Sequence, residues 1–191
     1  MGARAPIAQW IERLPPEQKA TGSSPVGRAT LCRARYGGRM PRFSLIPAAY
    51  VALMRGDEVL LQQRRNTGYM DGHWTFSAAG HVERDESVTA AAVREAREEL
   101  GVRVREADLD PICTVHRRQN DRDGGQRVDF YFCVRRWEGE PEARETDRSG
   151  GVRWAALTAL PEPLVPVDAI ALHMLATGER TAIVHWGFED S

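Results

Sequence analysis

Residues 80–102 read GHVERDESVTAAAVREAREELGV. A glycine opens the stretch, Glu86 follows six residues later, and Arg94-Glu95, Glu98-Glu99 and Gly101 close it at set intervals. Ser87 supplies an N-cap for a helix running through the Ala-rich segment to Leu100, and Gly101 supplies the permissive residue just past its end. At 3.6 residues per turn Glu95, Glu98 and Glu99 fall at i, i+3 and i+4, so the three carboxylates project from one side. Such crowding is costly unless a cation sits among them. Oxygen donors on one rigid face suit Mg²⁺ or Mn²⁺, hard ions that keep waters and bridge substrate phosphates. Taken alone, a solvated Glu-rich helix face explains the same residues.

The flanking pattern decides between the two. Written as G-x5-E-x7-R-E-U-x-E-E-x-G-U, with U a bulky apolar residue, it closely resembles the signature box of the Nudix hydrolases. Only Ala96 is small where the pattern prefers bulk. The resemblance implies an α/β fold, an α/β/α sandwich with a mixed sheet and the box as loop-helix-loop, over roughly residues 42–178. It further implies an ion pair between Glu86 and Arg94 that ties the loop to the helix, with Gly101 as a structural part of the box. In the family the carbonyl at the Gly80 position often joins the carboxylates as a metal ligand; a plain turn glycine is the simpler reading. Glu83 either reaches a second metal or faces water. Upstream, NTGYMDGHWTFSAAGHVE (66–83) is similar to the branch reading W-x-L-P-G-G or P-A-G-H-x-E, but Phe76-Ser77-Ala78-Ala79-Gly80 lacks its proline and first glycine. That departure bears on loop rigidity and leaves the carboxylates untouched.

The chain has 191 residues, 42% of them apolar, enough for one domain with a sizeable core. Its longest apolar run, 45–54, is interrupted by Pro47 and is too short for a bilayer. Three cysteines, Cys32, Cys113 and Cys133, show no CxxC spacing, which fits a reducing cytoplasm and suggests neither a zinc site nor a disulfide framework. A net charge of −1 argues against a large basic footprint, so no nucleic-acid partner is expected. The charge is unevenly placed. Residues 1–39 carry seven Lys/Arg against two Asp/Glu, residues 40–191 carry 19 against 25, and the single lysine is Lys19. With four prolines, several Gly and Ser and no sustained periodicity, residues 1–39 are expected to be weakly ordered. Their PIAQWIERLPPEQKATGSSPVGRA looks like a translated transfer-RNA gene, so synthesis is expected to begin at Met40; a basic arm for RNA or a partner is the competing reading.

Along residues 40–191, segments 47–54 and 59–64 read as a hairpin about a turn at 55–58, and 66–73 as a loop. Short strands over 74–79 and 81–82 lead into the box, and 112–118 and 128–137 follow it, joined by a turn-rich stretch at 119–126. In the later strand Val128, Phe130, Phe132 and Val134 share one face, with Asp129, Tyr131 and Cys133 on the other. A strand at 152–155 and a helix at 168–177, started by Asp168 and stopped by Gly178, complete the reading.

The resemblance implies hydrolysis of a nucleoside diphosphate linked to another moiety: a nucleoside triphosphate, an oxidised nucleotide, or a nucleotide sugar such as ADP-ribose. A metal cluster on three carboxylates makes bound water more acidic and neutralises the diphosphate, so no protein nucleophile is needed. Glu98 or Glu99 is the expected general base, with Glu140, Glu142 and Glu145 as candidates from a loop outside the box. Arg64, Arg65, Arg117 and Arg118 are candidate phosphate contacts. Tyr131 and Trp154 are candidates to stack on a base, against the commoner reading as packing aromatics. His73, His81 and His116 read as structural or solvent-facing, with a place near the diphosphate as the alternative for His81. The alternative function is a Nudix-fold nucleotide sensor without turnover, which has no need of a crowded carboxylate set; a diphosphate isomerase on the same fold is weaker. A homodimer through an exposed strand or the last helix is admitted by analogy.

Overall fold

The apolar run at 47–54 becomes the central strand of the molecule. The computed structural model describes residues 21–22, 43–118, 125–179 and 181–188. Their strands are β1 (Thr21–Gly22), β2 (Ile46–Arg55), β3 (Glu58–Arg64), β4 (Trp74–Phe76), β5 (Ala78–His81), β6 (Leu109–Arg118), β7 (Gln126–Val134), β8 (Ser149–Ala156) and β9 (Ile183–Trp186). The helices are α1 (Val88–Leu100) and α2 (Pro166–Thr177). Strand β2 lies between antiparallel β5 (Ala49↔Gly80) and parallel β7 (Tyr50↔Tyr131). β6 continues the sheet antiparallel to β7, and β9 runs parallel to β6.

The expected hairpin forms, but β2 and β3 pair only at Met54↔Val59 and Arg55↔Glu58. Beyond that point they part, and β3 takes β4 and β8 as its antiparallel neighbours instead. Residues of β2 through β5 line the cleft between the diverging strands.

Alternation along β2 and β7 builds two cores, as period-2 side-chain placement requires. Ala49, Val51, Leu53, Phe132 and Val134 pack on one face with Ala91, Ala92, Ala96 and Leu100 of α1. Ala48, Tyr50, Ala52, Tyr131 and Cys133 pack on the other with Val167, Ile170, Ala171, Leu172 and Met174 of α2. A mixed sheet covered by a helix on each face is the α/β/α arrangement the pattern of elements called for. Losing the proline and glycine before Gly80 leaves a fully buried Ala78 at the head of a regular β5.

β7 ends at Val134, short of the expected 137, and β8 is longer than expected; two other boundaries differ for plain physical reasons. α2 begins at Pro166, whose fixed φ suits a first helical position, and Asp168 is not its cap. The Asp168 side chain turns inward and accepts hydrogen bonds from Thr75 Oγ1 and, at 2.8 Å, from Tyr131 Oη. Strand β6 starts at Leu109, earlier than expected, because a register shift between Pro111 and Cys113 absorbs the proline. Of residues 1–39 the description covers only Thr21–Gly22, which pair with β9, and residues 119–124 of the turn-rich stretch also lie outside it.

Candidate active site

The box helix forms as its caps dictate. Ser87 Oγ accepts from the Ala90 N–H at 3.0 Å, and Gly101, at φ 72°, donates its N–H to Arg97 O at 3.0 Å. The small side chains of Ala91, Ala92 and Ala96 are fully buried and let α1 approach β2 and β5 closely. That approach presses two carboxylates onto the backbone of β5. A Cβ on Gly80 would fall 1.8 Å from Glu95 Oε1, so any side chain there would have to push the Glu95 carboxylate aside. Beside it, Glu99 Oε2 accepts the Ala79 N–H at 2.9 Å. Glu98, the third carboxylate, has a side chain more than half exposed.

Arg94 organises the group. Its Nε and Nη2 donate to the two oxygens of Glu86 at 2.9 and 3.0 Å, and Nη2 also reaches His81 O at 3.0 Å. Its Nη1 bridges Glu95 Oε1 at 2.6 Å and Glu98 Oε2 at 3.0 Å. Glu86, held by the guanidinium and by the Glu83 backbone, has its pKa pushed below the usual carboxylate range. Burial acts the other way on Glu99, raising it to about 8 against the Ala79 hydrogen bond, with the charges of Glu95 and Glu145 adding to the rise. Glu95 is raised as well, mainly by burial. Two carboxylates resisting ionisation on one helix face mark a site short of positive charge.

These residues open onto a cleft of about 580 Å³. Glu145 enters it from the loop after β7, pinned over the end of α1 by Arg144 N–H to Glu99 O at 2.9 Å and Glu142 N–H to Leu100 O at 3.1 Å. Of the three loop candidates only Glu145 lines the cleft; Glu140 and Glu142 do not. Arg64 lines it too, donating to Tyr69 O at 2.8 Å and Thr67 Oγ1 at 3.0 Å. Arg117 and His81 are also cleft residues.

Four further candidates stand elsewhere. The Tyr131 ring is buried, stacked on Tyr50 at 4.6 Å, and offers no face to a base. Trp154 stacks on Trp137 at 6.0 Å with the Arg55 guanidinium 4.5 Å above its ring, outside the cleft. Arg65 and Arg118 are absent from the lining. Sequence reasoning missed Gln62, Arg127, Arg148 and Asp168, which do line it. For Arg127 a signal existed: it precedes Asp129, which alternation had already put on the face of Tyr131.

Among the described residues no three His, Cys, Asp or Glu groups are already gathered about a point as metal ligands. The bridging Arg94 accounts for this, since its Nη1 takes one oxygen each from Glu95 and Glu98. The donor set nevertheless fits a hard divalent ion: Glu95, Glu98 and Glu99 offer only oxygen, Glu145 adds a fourth carboxylate, and Gly80 admits close approach.

The NUDIX domain profile matches residues 44–175. The chain belongs to the Nudix hydrolase family. It is 36% identical over 141 residues to the NAD-capped RNA hydrolase NudC of Pseudomonas aeruginosa, covering 71% of this chain and 44% of that protein. A CTP pyrophosphohydrolase of Escherichia coli is 39% identical over 75 residues, 39% of this chain and 53% of the other. The chain thus spans about half the length of these curated relatives, or less. The crystal structure of a MutT NUDIX hydrolase from Burkholderia pseudomallei superposes with a TM-score of 0.61 at 30% identity, covering 68% of this chain and 97% of that one. Divalent metals are in general use across the family. No described helix is long and apolar enough to cross a membrane.

Proposed function

We propose that this NUDIX domain hydrolyses a phosphoanhydride bond of a nucleoside diphosphate derivative, with Mg²⁺ or Mn²⁺ as cofactor. The observation that carries the reading is the set of four cleft glutamates, two of them forced against the β5 backbone with raised pKa values. Relatives named for hydrolysing NAD-capped RNA and CTP support a nucleotide substrate. Glu95, Glu98, Glu99 and the Gly80 backbone are the groups that would hold the metal. Bound there, it would supply charge neutralisation on the diphosphate and a more acidic water.

The chain's own residues do the remaining work. Arg94 keeps Glu95 and Glu98 in place and remains a cation, its pKa raised chiefly by Glu86. Arg64, fixed by the 66–73 loop, donates to substrate phosphate. Glu98 is the least buried of the three helix carboxylates and takes the proton from the attacking water. The substrate is a small nucleotide rather than an extended nucleic acid, in keeping with a net charge of −1, and the reaction belongs to the cytoplasm.

Product chromatography tests this. The full chain with Mg²⁺ is given nucleoside triphosphates, ADP-ribose, NADH, nucleotide sugars and a capped RNA oligomer. Release of a nucleoside monophosphate from one class supports the hydrolase. Nucleotide binding without any product would favour a sensor.

A further inference from the structure

Besides the helix carboxylates, the cleft is lined by two arginines on adjacent strands. Arg117 of β6 and Arg127 of β7 are register partners, and both send Nε to one carboxylate, Asp129, which is fully buried. Like charges directly opposite across an antiparallel pair are destabilising. One aspartate balances only one of them. Among the groups beside them, burial drives the phenols of Tyr50 and Tyr131 up, keeping them neutral, and raises Asp168 above the ordinary carboxylate value. A structural ion pair would need a single arginine. Arg127 is the more accessible cation, with a side chain 18% exposed against 7% for Arg117 and its terminal nitrogens making no hydrogen bond to any described residue.

The register sets the spacing. Across the sheet His81 pairs with Ala48 and Ala48 with Asp129, so the Asp129 backbone lies two strand spacings, about 10 Å, from that of His81. The carbonyl of His81 is held by the same Arg94 that grips Glu95 and Glu98. The arginine pair and the helix carboxylates therefore stand at separate places in the same cleft.

We propose that Arg117 and Arg127, gathered on Asp129, form a subsite for a phosphate dianion of the substrate separate from the phosphates engaged at α1. The inference rests on the nucleotide reading of the cleft and deepens it: the substrate carries a phosphate beyond the diphosphate being cut. Two forked guanidiniums match a terminal phosphate in geometry and charge. That phosphate is either the end of a longer 5′ chain or an ester on the ribose.

Calorimetric titration of the full chain in EDTA separates these. The ligands are AMP, ATP, adenosine 2′,5′-bisphosphate and adenosine 3′,5′-bisphosphate, each with wild type and with R127Q, whose fold is checked by circular dichroism. One phosphate-bearing ligand is expected to bind wild type at least about tenfold more tightly than AMP, and the ratio is expected to fall to near one in R127Q. A gain with ATP identifies the 5′ chain, and a gain with a bisphosphate identifies the ribose ester. Equal affinity for all four, no binding of any, or a ratio that survives in R127Q overturns the subsite. Because metal and turnover are absent, a failed subsite is distinguishable from a failed hydrolase, which the Mg²⁺ product assay reports separately.

Discussion

Arg94 grips Glu86 through two parallel hydrogen bonds, Nε to Oε1 at 2.9 Å and Nη2 to Oε2 at 3.0 Å, joining the loop before α1 to the helix itself. The fork explains why an arginine stands here. Lysine brings the charge but only a point donor, so it cannot hold Glu86, His81 O, Glu95 and Glu98 together. R94K is expected to lower Tm by a few °C and kcat by about tenfold or more, measured by thermal denaturation and steady-state kinetics. Wild-type values in both would show the fork to be dispensable.

Gly80 and Glu95 occupy the same space to within one methyl group. Gly80→Ala must push the Glu95 carboxylate out of the cleft corner. Misplacing a reacting constellation by about 1 Å costs roughly 100-fold in rate, and a loss of that order is the expected result for G80A. Retained activity would mean that Glu95 has room to turn aside.

Ala96 departs from the preference for a bulky residue at its position, and it is fully buried against the sheet. Overpacking such a site typically costs about 1–3 kcal/mol. A96L is therefore expected to lower stability by that amount in urea denaturation and to reduce activity by shifting α1 away from β5. An unchanged midpoint would show that the interface is looser than its burial indicates.

Asp168 sets a pH dependence. Burial, the largest influence, raises its pKa above the ordinary carboxylate value, outweighing the hydrogen bonds from Thr75 and Tyr131. A raised folded-state pKa contributes stability that is fully present below the unfolded value of about 4 and is lost as pH rises through the folded value. Asn stays neutral throughout, and Thr75 Oγ1 can accept from its amide. The Tm of D168N minus that of wild type is expected to grow as pH rises above about 4. A difference independent of pH would contradict the assignment.

Local pattern made the box helix, its caps, the hairpin and the two-faced β7 legible, because each rests on spacing within a few residues. The Glu95, Glu98 and Glu99 face was legible for the same reason. What escaped was assembled across the chain. Asp168 reads as a helix cap until α2 is seen to start at Pro166 and the aspartate to turn toward Thr75 and Tyr131, 93 and 37 residues away. Tyr131 and Trp154 carry the right chemistry for stacking on a base, but sheet register sends one into the core and the other against Trp137. The choice of Glu145 among three loop glutamates depended on how Arg144 N–H anchors that loop to Glu99 O.

The most direct measurement is kcat of Glu98→Gln against wild type on the best substrate of the panel, with Mg²⁺, beside the affinity of each for that nucleotide. If Glu98 takes the proton from the attacking water, kcat falls by about 100-fold or more while binding is retained. Turnover equal to wild type would contradict the assignment of catalysis to the carboxylate face of α1.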